Sequence, residues 1–439
     1  MAEPAPVPVA GSLWRDADFV KFWSAETLSL VGAQVSLVAI PLLAVTTLSA
    51  TPFEMGAVTA AQTAPFLLFT LLAGVWVDRV RRLPLLRAAN FGRAVVYGVI
   101  PLAIVLDVMN IGLLGVLVFV GATLTVVFDL AYQSYLPSLV GRDHLIDANG
   151  RLEGSRSFAQ AAGPGLGGLL VGVLTAPIAI VVDAATYLVS AATLLTVRHK
   201  EPTPEPEPGP QTSLLTQIGR GVRLAVSNTY LRALGAEAAT YNLFNQMLWA
   251  VLILFLSRSL HLSALTIGIA LSAEGVGALL GSTVAARLSR RHGLGRTLIA
   301  SIIVANLAPL LIPAAGGGPV AAAVIVGLAL FVNGAGLSIY AIQAISVRQA
   351  AVSSDVLGRT NAGYRFAVTG AAAIGALIGG ALGGWIGLRA TMLIGGLGTL
   401  AAIWFVVRSP IPQLRDLTEL EPESATAETQ AATAAGDQR

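Results

Sequence analysis

Long apolar runs, broken by short stretches of Gly, Pro and charge, repeat along the whole 439-residue chain. The run MLIGGLGTLAAIWFVV, Met392 to Val407, has no period of two, which argues against the alternating strands of a membrane barrel. Crossing a bilayer core as a helix takes roughly 20 mostly apolar residues. Runs of that length fall at about residues 19–47, 54–77, 84–106, 111–136, 147–173, 177–197, 230–257, 264–288, 295–313, 319–347, 358–384 and 388–408. The pattern therefore predicts an all-α membrane protein with twelve transmembrane helices.

Composition agrees: 55% of residues are hydrophobic and 12% charged, with a mean hydropathy of +0.75, whereas soluble domains carry about a quarter charged residues. Cysteine is absent, which removes disulfides and thiolate metal sites. His144, His199, His261 and His292 are scattered near segment ends, so no histidine metal site is expected. The Pro-rich start MAEPAPVPVAGS lacks the basic and apolar regions of a signal peptide, so the first helix is expected to remain in the mature protein.

Charge changes the picture by assigning sides. Arg15, Lys21, Arg79, Arg81, Arg82, Arg87, Arg142, Arg198, Lys200, Arg220, Arg223, Arg287, Arg290, Arg291, Arg296, Arg408 and Arg415 all fall in or beside turns of one side. The opposite turns hold Arg258 and Arg389. The excess of Lys and Arg marks the cytoplasmic side, so both termini are expected there. The clusters are split among short turns without an aromatic platform, which does not suit nucleic acid.

Shifting the chain by 212 positions places Gln34 on Gln246, Gly56 on Gly268, Leu67 and Leu68 on Leu279 and Leu280, and Asn149 on Asn361. The same shift places Gly163, Gly167, Gly168 and Gly172 on Gly375, Gly379, Gly380 and Gly384. One constant offset from the first helix to the fifth indicates two six-helix pseudo-repeats in parallel, an arrangement associated with transporters whose site lies between the halves. The resulting plan is a disordered tail at 1–12, a six-helix bundle at 13–200, a linker at 201–228, a second bundle at 229–410 and a disordered tail at 411–439. Within the linker, KEPTPEPEPGPQTS reads as extended, and Leu214–Asn228 as an amphipathic helix on the cytoplasmic surface.

Two motifs carry a resemblance. GVWVDRVRR, with Gly74, Asp78, Arg79 and Arg82, resembles the GxxxDR motif of the major facilitator superfamily, with Arg81 where Gly or Asp is commoner. The resemblance implies a breakable cytoplasmic gate, asymmetric here because Arg290 and Arg291 stand opposite Asp78 and Arg79 in the repeat. On helix 5, Gly150, Ala159 and GPGLGG (Gly163, Pro164, Gly167 and Gly168 within it) resemble the antiporter motif of that superfamily's exporters, with Ala159 where Gly is usual. Small residues there also allow close helix packing. SLVGAQVSLVAIPLLAV from Ser29, FDLAYQSYLPSLV from Phe128 and NGRLEGSRSFAQAAGPGLGG from Asn149 are similar to a bacterial exporter branch, the transmembrane secretion effector type. That branch includes macrolide efflux proteins and the enterobactin exporter. The resemblance spans Leu13 to Arg408 and implies a monomer in the bacterial cytoplasmic membrane that exports cargo in exchange for protons. The proton gradient would be its energy source, with no cofactor.

Ionised residues deep in a bilayer cost about 2.5 to 3.5 kcal/mol on insertion scales, so each needs a partner or a function. Glu274 and Arg93 lie deepest, Glu26, Glu237, Arg156 and Arg365 at intermediate depth, and Asp129 nearer the cytoplasmic end of helix 4. Desolvation penalises an ionised carboxyl, so an acid in a cavity can exchange a proton near neutral pH. Glu26 is the first choice for proton coupling and Glu274 the second, with Glu237 also a candidate; structural hydrogen bonding is the alternative for each. Asp129 with Arg156 or Arg93 is expected to form a structural or gating pair. Gln34, Gln62, Gln133, Tyr241, Asn242, Asn245 and Gln246, set among apolar residues, are candidates for contact with an amphiphilic cargo. No Walker-type GxxxxGK segment or catalytic constellation is present, so the chain is not read as an enzyme. The leading expectation is an exporter of hydrophobic or amphiphilic small molecules. A proton-coupled importer on the same fold, or a non-transporting sensor or assembly partner, are its rivals.

Overall fold

The structure, a computed structural model, describes residues 13–141, 144–199, 201, 226–351 and 354–420, without the side chains of 71, 75, 78 and 354–363. The tail at 1–12, the linker helix up to residue 225 and the tail beyond 420 lie outside the described residues.

In hydrocarbon every backbone polar group must be satisfied within the protein, and a helix does so within one segment. Twelve long helices fill the described chain: α1 Ala17–Thr46, α2 Pro52–Asp78, α3 Arg82–Val105, α4 Ile111–Val140, α5 Leu145–Leu174 and α6 Ala176–Leu195, then α7 Thr229–Leu254, α8 Ala264–His292, α9 Leu294–Leu307, α10 Pro319–Ala350, α11 Ser354–Trp385 and α12 Leu388–Val407. Eleven of them, α1 and α3 to α12, with α7 and α9 counted together with the turns that extend them, are long and apolar enough over their described residues to cross a membrane. A π-helical turn, Phe255–Ser259, extends α7, and a 3-10 turn, Ala308–Leu311, extends α9.

Local signals set the helix ends. Asp16 accepts from the amides of Asp18 and Phe19 at the start of α1, Asn110 from Leu113 at α4, Asn228 from Tyr230 and Leu231 at α7, and Ser263 from Thr266 at α8. Thr51 and Glu54 form a reciprocal capping box at α2, with bonds of 2.8 and 3.3 Å. Gly293, at φ +87°, permits the tight turn from α8 into α9.

The chain divides into two compact units: Met1–Leu48 with Leu68–Pro208, and Ser49–Leu67 with Gly209–Arg439. In the first, α1 packs on α5 and α6, and α3 on α4 and α6; in the second, α7 packs on α11 and α12, and α9 on α10 and α12. The two sets of neighbours are related by the repeat. Its glycines are the reason the helices can approach so closely. A Cβ on Gly163 of α5 would lie 2.3 Å from Gln34 Cβ of α1, and its repeat partner Gly375 of α11 would meet the Leu243 carbonyl of α7 at 2.0 Å.

The unit boundary differs from the sequence reading, which kept α2 within the first bundle. The first part of α2 groups with the second unit because Gly56 lies directly against α11, where a Cβ would come 2.6 Å from the Ala376 carbonyl. The chain also stays ordered past residue 410, where the sequence was read as a loose tail. Ile411, Leu414 and Leu420 are buried in an apolar cluster with Leu294, Leu298 and Ile302. The carbonyls of Leu414 and Arg415 accept from the amides of Gly295 and Leu294, at 2.9 and 3.0 Å, which supplies partners to the first turn of α9. The first unit has a counterpart: Glu201, just beyond α6, accepts from the amides of Arg82 and Leu83 at the start of α3, at 2.7 and 3.2 Å.

Candidate functional site

Three helices of the first unit line an open cavity of about 480 Å³, formed by Glu26 and Leu30 of α1, Tyr132 and Gln133 of α4, and Asn149, Gly150, Leu152, Glu153 and Arg156 of α5. Asn149, Glu153 and Arg156 recur at spacings of four and three, so one face of α5 presents them together. Thr27 donates to Ser155 at 2.9 Å and ties α1 to α5 beside them. Tyr132 stacks on Phe22 of α1, with ring centres 5.7 Å apart and planes within 10°. Glu26 is only 5% exposed, and its Oε2 has no hydrogen-bond partner among the described residues. Leaving such an atom unsatisfied costs about 1–3 kcal/mol, more when it is charged. An acid held in this way at a polar cavity is equipped to bind a proton or a cationic group.

Arg93 of α3 lies deeper in the same unit, 4% exposed. Its guanidinium sits between the rings of Phe128 and Tyr187, at 4.3 and 4.4 Å, and donates to Asn90, which in turn donates to Ser190 at 2.7 Å. Two rings and an amide hold Arg93 in place. Arg156 is exposed at the cavity and Arg365 is exposed on α11.

The second unit holds the other candidate acids. Glu237 is 1% exposed and accepts a hydrogen bond from the Tyr340 hydroxyl. Glu274 is half-buried on α8, its carbonyl pressed against Gly334 of α10. Tyr241 is buried; Asn242 is turned onto its own helix, donating to the Ala238 carbonyl at 2.8 Å. Asn245, Gln246 and Gln62 are half-buried in the same unit. Of the predicted cargo contacts, Gln133 lines the cavity with Glu26, whereas half-buried Gln34 packs its stem against Gly163.

At the basic motif, the side chain of Asp78 lies outside the described residues, Gly74 has open space around it, and Arg79 is exposed. Arg82 pairs with Glu201 at 3.2 Å. In the helix 5 motif, Gly150 opens onto the cavity, while Gly163, Pro164, Gly167 and Gly168 are buried.

Comparison with known proteins now bears on this arrangement. The model of the transmembrane secretion effector family matches residues 11–437. This chain belongs to that family of major facilitator transporters. It is 27% identical over 401 residues to the multidrug efflux pump Tap of Mycolicibacterium fortuitum, covering 88% of this chain and 93% of that protein. It is also 24% identical over 386 residues to the MFS-type transporter YfiS of Bacillus subtilis strain 168, covering 85% and 88%. In fold it resembles the nucleoside transporter NupG, crystallised as a point mutant, with a TM-score of 0.72 at 13% identity, covering 89% of this chain and 99% of that one.

Sequence reasoning passed over two acids of this transporter, Glu153, which lines the cavity, and Asp183. Asp183 of α6 is 0% exposed and accepts a hydrogen bond from Ser36 of α1. The available signal was a lone carboxylate inside IVVDAATYLV, but the repeat offset places Gly395 opposite it, so the comparison of halves gave no prompt.

Proposed function

We propose that this transporter exports a hydrophobic or amphiphilic small molecule across the bacterial cytoplasmic membrane by alternating access, exchanging it for protons, with both termini in the cytoplasm and the monomer as the working unit. The observation that carries the reading is Glu26: a nearly buried carboxyl with one unpartnered oxygen, on a cavity that also exposes Tyr132, Gln133, Asn149 and Arg156. The mixture of an aromatic ring, amides and charge suits an amphiphile with a polar anchor. The likeness to a multidrug efflux pump over most of both chains supports the direction. Proton binding at Glu26 neutralises it and weakens its hold on a cationic cargo; proton release restores that hold.

The test is accumulation of fluorescent lipophilic dyes and macrolides in cells making wild-type, Glu26→Gln, Glu274→Gln or Glu237→Gln protein, with and without a protonophore. Wild-type cells should accumulate several-fold less than control cells, and the difference should vanish with protonophore and in Glu26→Gln. Normal export by all three amides would show the proton assignment to be wrong.

A further inference from the structure

Asp183 stands about 10 Å into α6 and has no solvent exposure. Ser36 of α1 donates to its Oδ2, and Thr186 lies 3.4 Å from its Oδ1 while donating to its main-chain carbonyl at 2.8 Å. Helix α1 has no side chain where this group presses on it: a Cβ on Gly32 would come 2.0 Å from Thr186 Oγ1 and 2.5 Å from Asp183 Oδ1. The carboxyl therefore occupies a niche shaped to hold it.

The charges around the niche do not balance at contact distance. Arg93 of α3 meets two rings and an amide, and its Nε has no partner among the described residues. Tyr187, one turn along α6 from Asp183, stands against the guanidinium. Toward Asp183, α3 directs Arg93 and Tyr97, α6 its own Tyr187 and Thr186, and α1 the Ser36 hydroxyl; Tyr97 and Tyr187 stack with centres 5.7 Å apart. Among the described residues, α5 brings no charged group to it. Glu26 lies ten residues, about 15 Å, along α1 from Ser36. Toward Glu26 stand Arg93 of α3, Asp129 of α4 and Arg156 of α5, whereas among the described residues Arg93 is the one cation acting on Asp183.

We propose that Asp183 is a second proton-binding site of this transporter, sharing with Glu26 the counter-charge of Arg93. The proton adds to a carboxylate oxygen of Asp183 from water and returns to water, with no other bond changing. When Asp183 is neutral, Arg93 favours the ionised form of Glu26; when Asp183 is ionised, the two acids compete for it. The role in coupling rests on the exporter reading, whereas proton binding at Asp183 does not.

The experiment separates the two. Full-length protein in phosphatidylglycerol–phosphatidylethanolamine vesicles is titrated with pH while the infrared carbonyl band of protonated carboxylic acids is followed, in wild type, Asp183→Asn, Ser36→Ala and Glu26→Gln. The expected result is loss of one band component in Asp183→Asn. The midpoint of that component should move by about a pH unit, the size of a coupled titration, in Ser36→Ala and in Glu26→Gln. If Asp183→Asn fails to fold, Ser36→Ala supplies the same reading. A band unchanged in Asp183→Asn, or a component unmoved in both Ser36→Ala and Glu26→Gln, overturns the proposal. Vesicles that move no dye under a pH gradient, yet show the Asp183 component, would overturn the exporter reading alone.

Discussion

Glu26 and Glu237 sit one register apart in the repeat, and their surroundings give them different work. Glu26 keeps an unpartnered oxygen at a cavity, whereas Glu237 accepts from Tyr340 and is 1% exposed. That bond joins α7 to α10, so its first effect is on stability. Tyr340→Phe removes the donor and strands a buried acceptor, which should cost about 1–3 kcal/mol and lower the melting temperature in detergent. Glu237→Gln retains an accepting oxygen and should lose less. Equal melting of Tyr340→Phe and wild type would show that the bond adds nothing to stability. Arg93 is the opposite case, a cation that rings, not an acid, hold in place. Its depth was legible from its distance along α3. Asn90, three residues back on its own helix, was within reach of sequence spacing, but Phe128 and Tyr187 were not, because they come from helices that only tertiary packing brings beside it.

At the scale of elements, the positions of the helices could be read from hydropathy because a bilayer dictates both their length and their polarity. Their neighbours could be read from the repeat, whose glycines meet equivalent helices in both units. What lay beyond reading was the return of each unit's chain, after its sixth helix, to the start of its third. Glu201 does this with a side chain and residues 414–415 with main-chain carbonyls. Neither stretch has a periodic signal, and the partners are more than a hundred residues away. Glu201 also pairs with Arg82, so part of the basic cluster that resembles a gate is occupied within its own unit. The Glu201 side chain is 4% exposed. Glu201→Ala should therefore cost about 1–2 kcal/mol, as loss of a helix cap does, and expose the start of α3 to faster amide exchange. Glu201→Gln, which can still accept from both amides, should recover part of that loss. Exchange at Arg82 and Leu83 unchanged in Glu201→Ala would contradict the cap.

For the whole molecule, duplication produced two units that share the packing of α1 and α3 with that of α7 and α9 but have different interiors. The first combines Glu26, Arg93 and Asp183 with the cavity, while the second places Glu237 against Tyr340. Proton exchange on the first unit should then drive cargo movement through the transport cycle. The most direct test is transport in proteoliposomes with an imposed pH gradient, using a lipophilic dye that wild-type cells export. Wild-type protein should accumulate dye against its concentration gradient only while the pH gradient lasts. Glu26→Gln should lose that accumulation yet still exchange labelled for unlabelled dye at equal pH. Undiminished gradient-driven accumulation by Glu26→Gln, or wild-type accumulation indifferent to the pH gradient, would contradict the account.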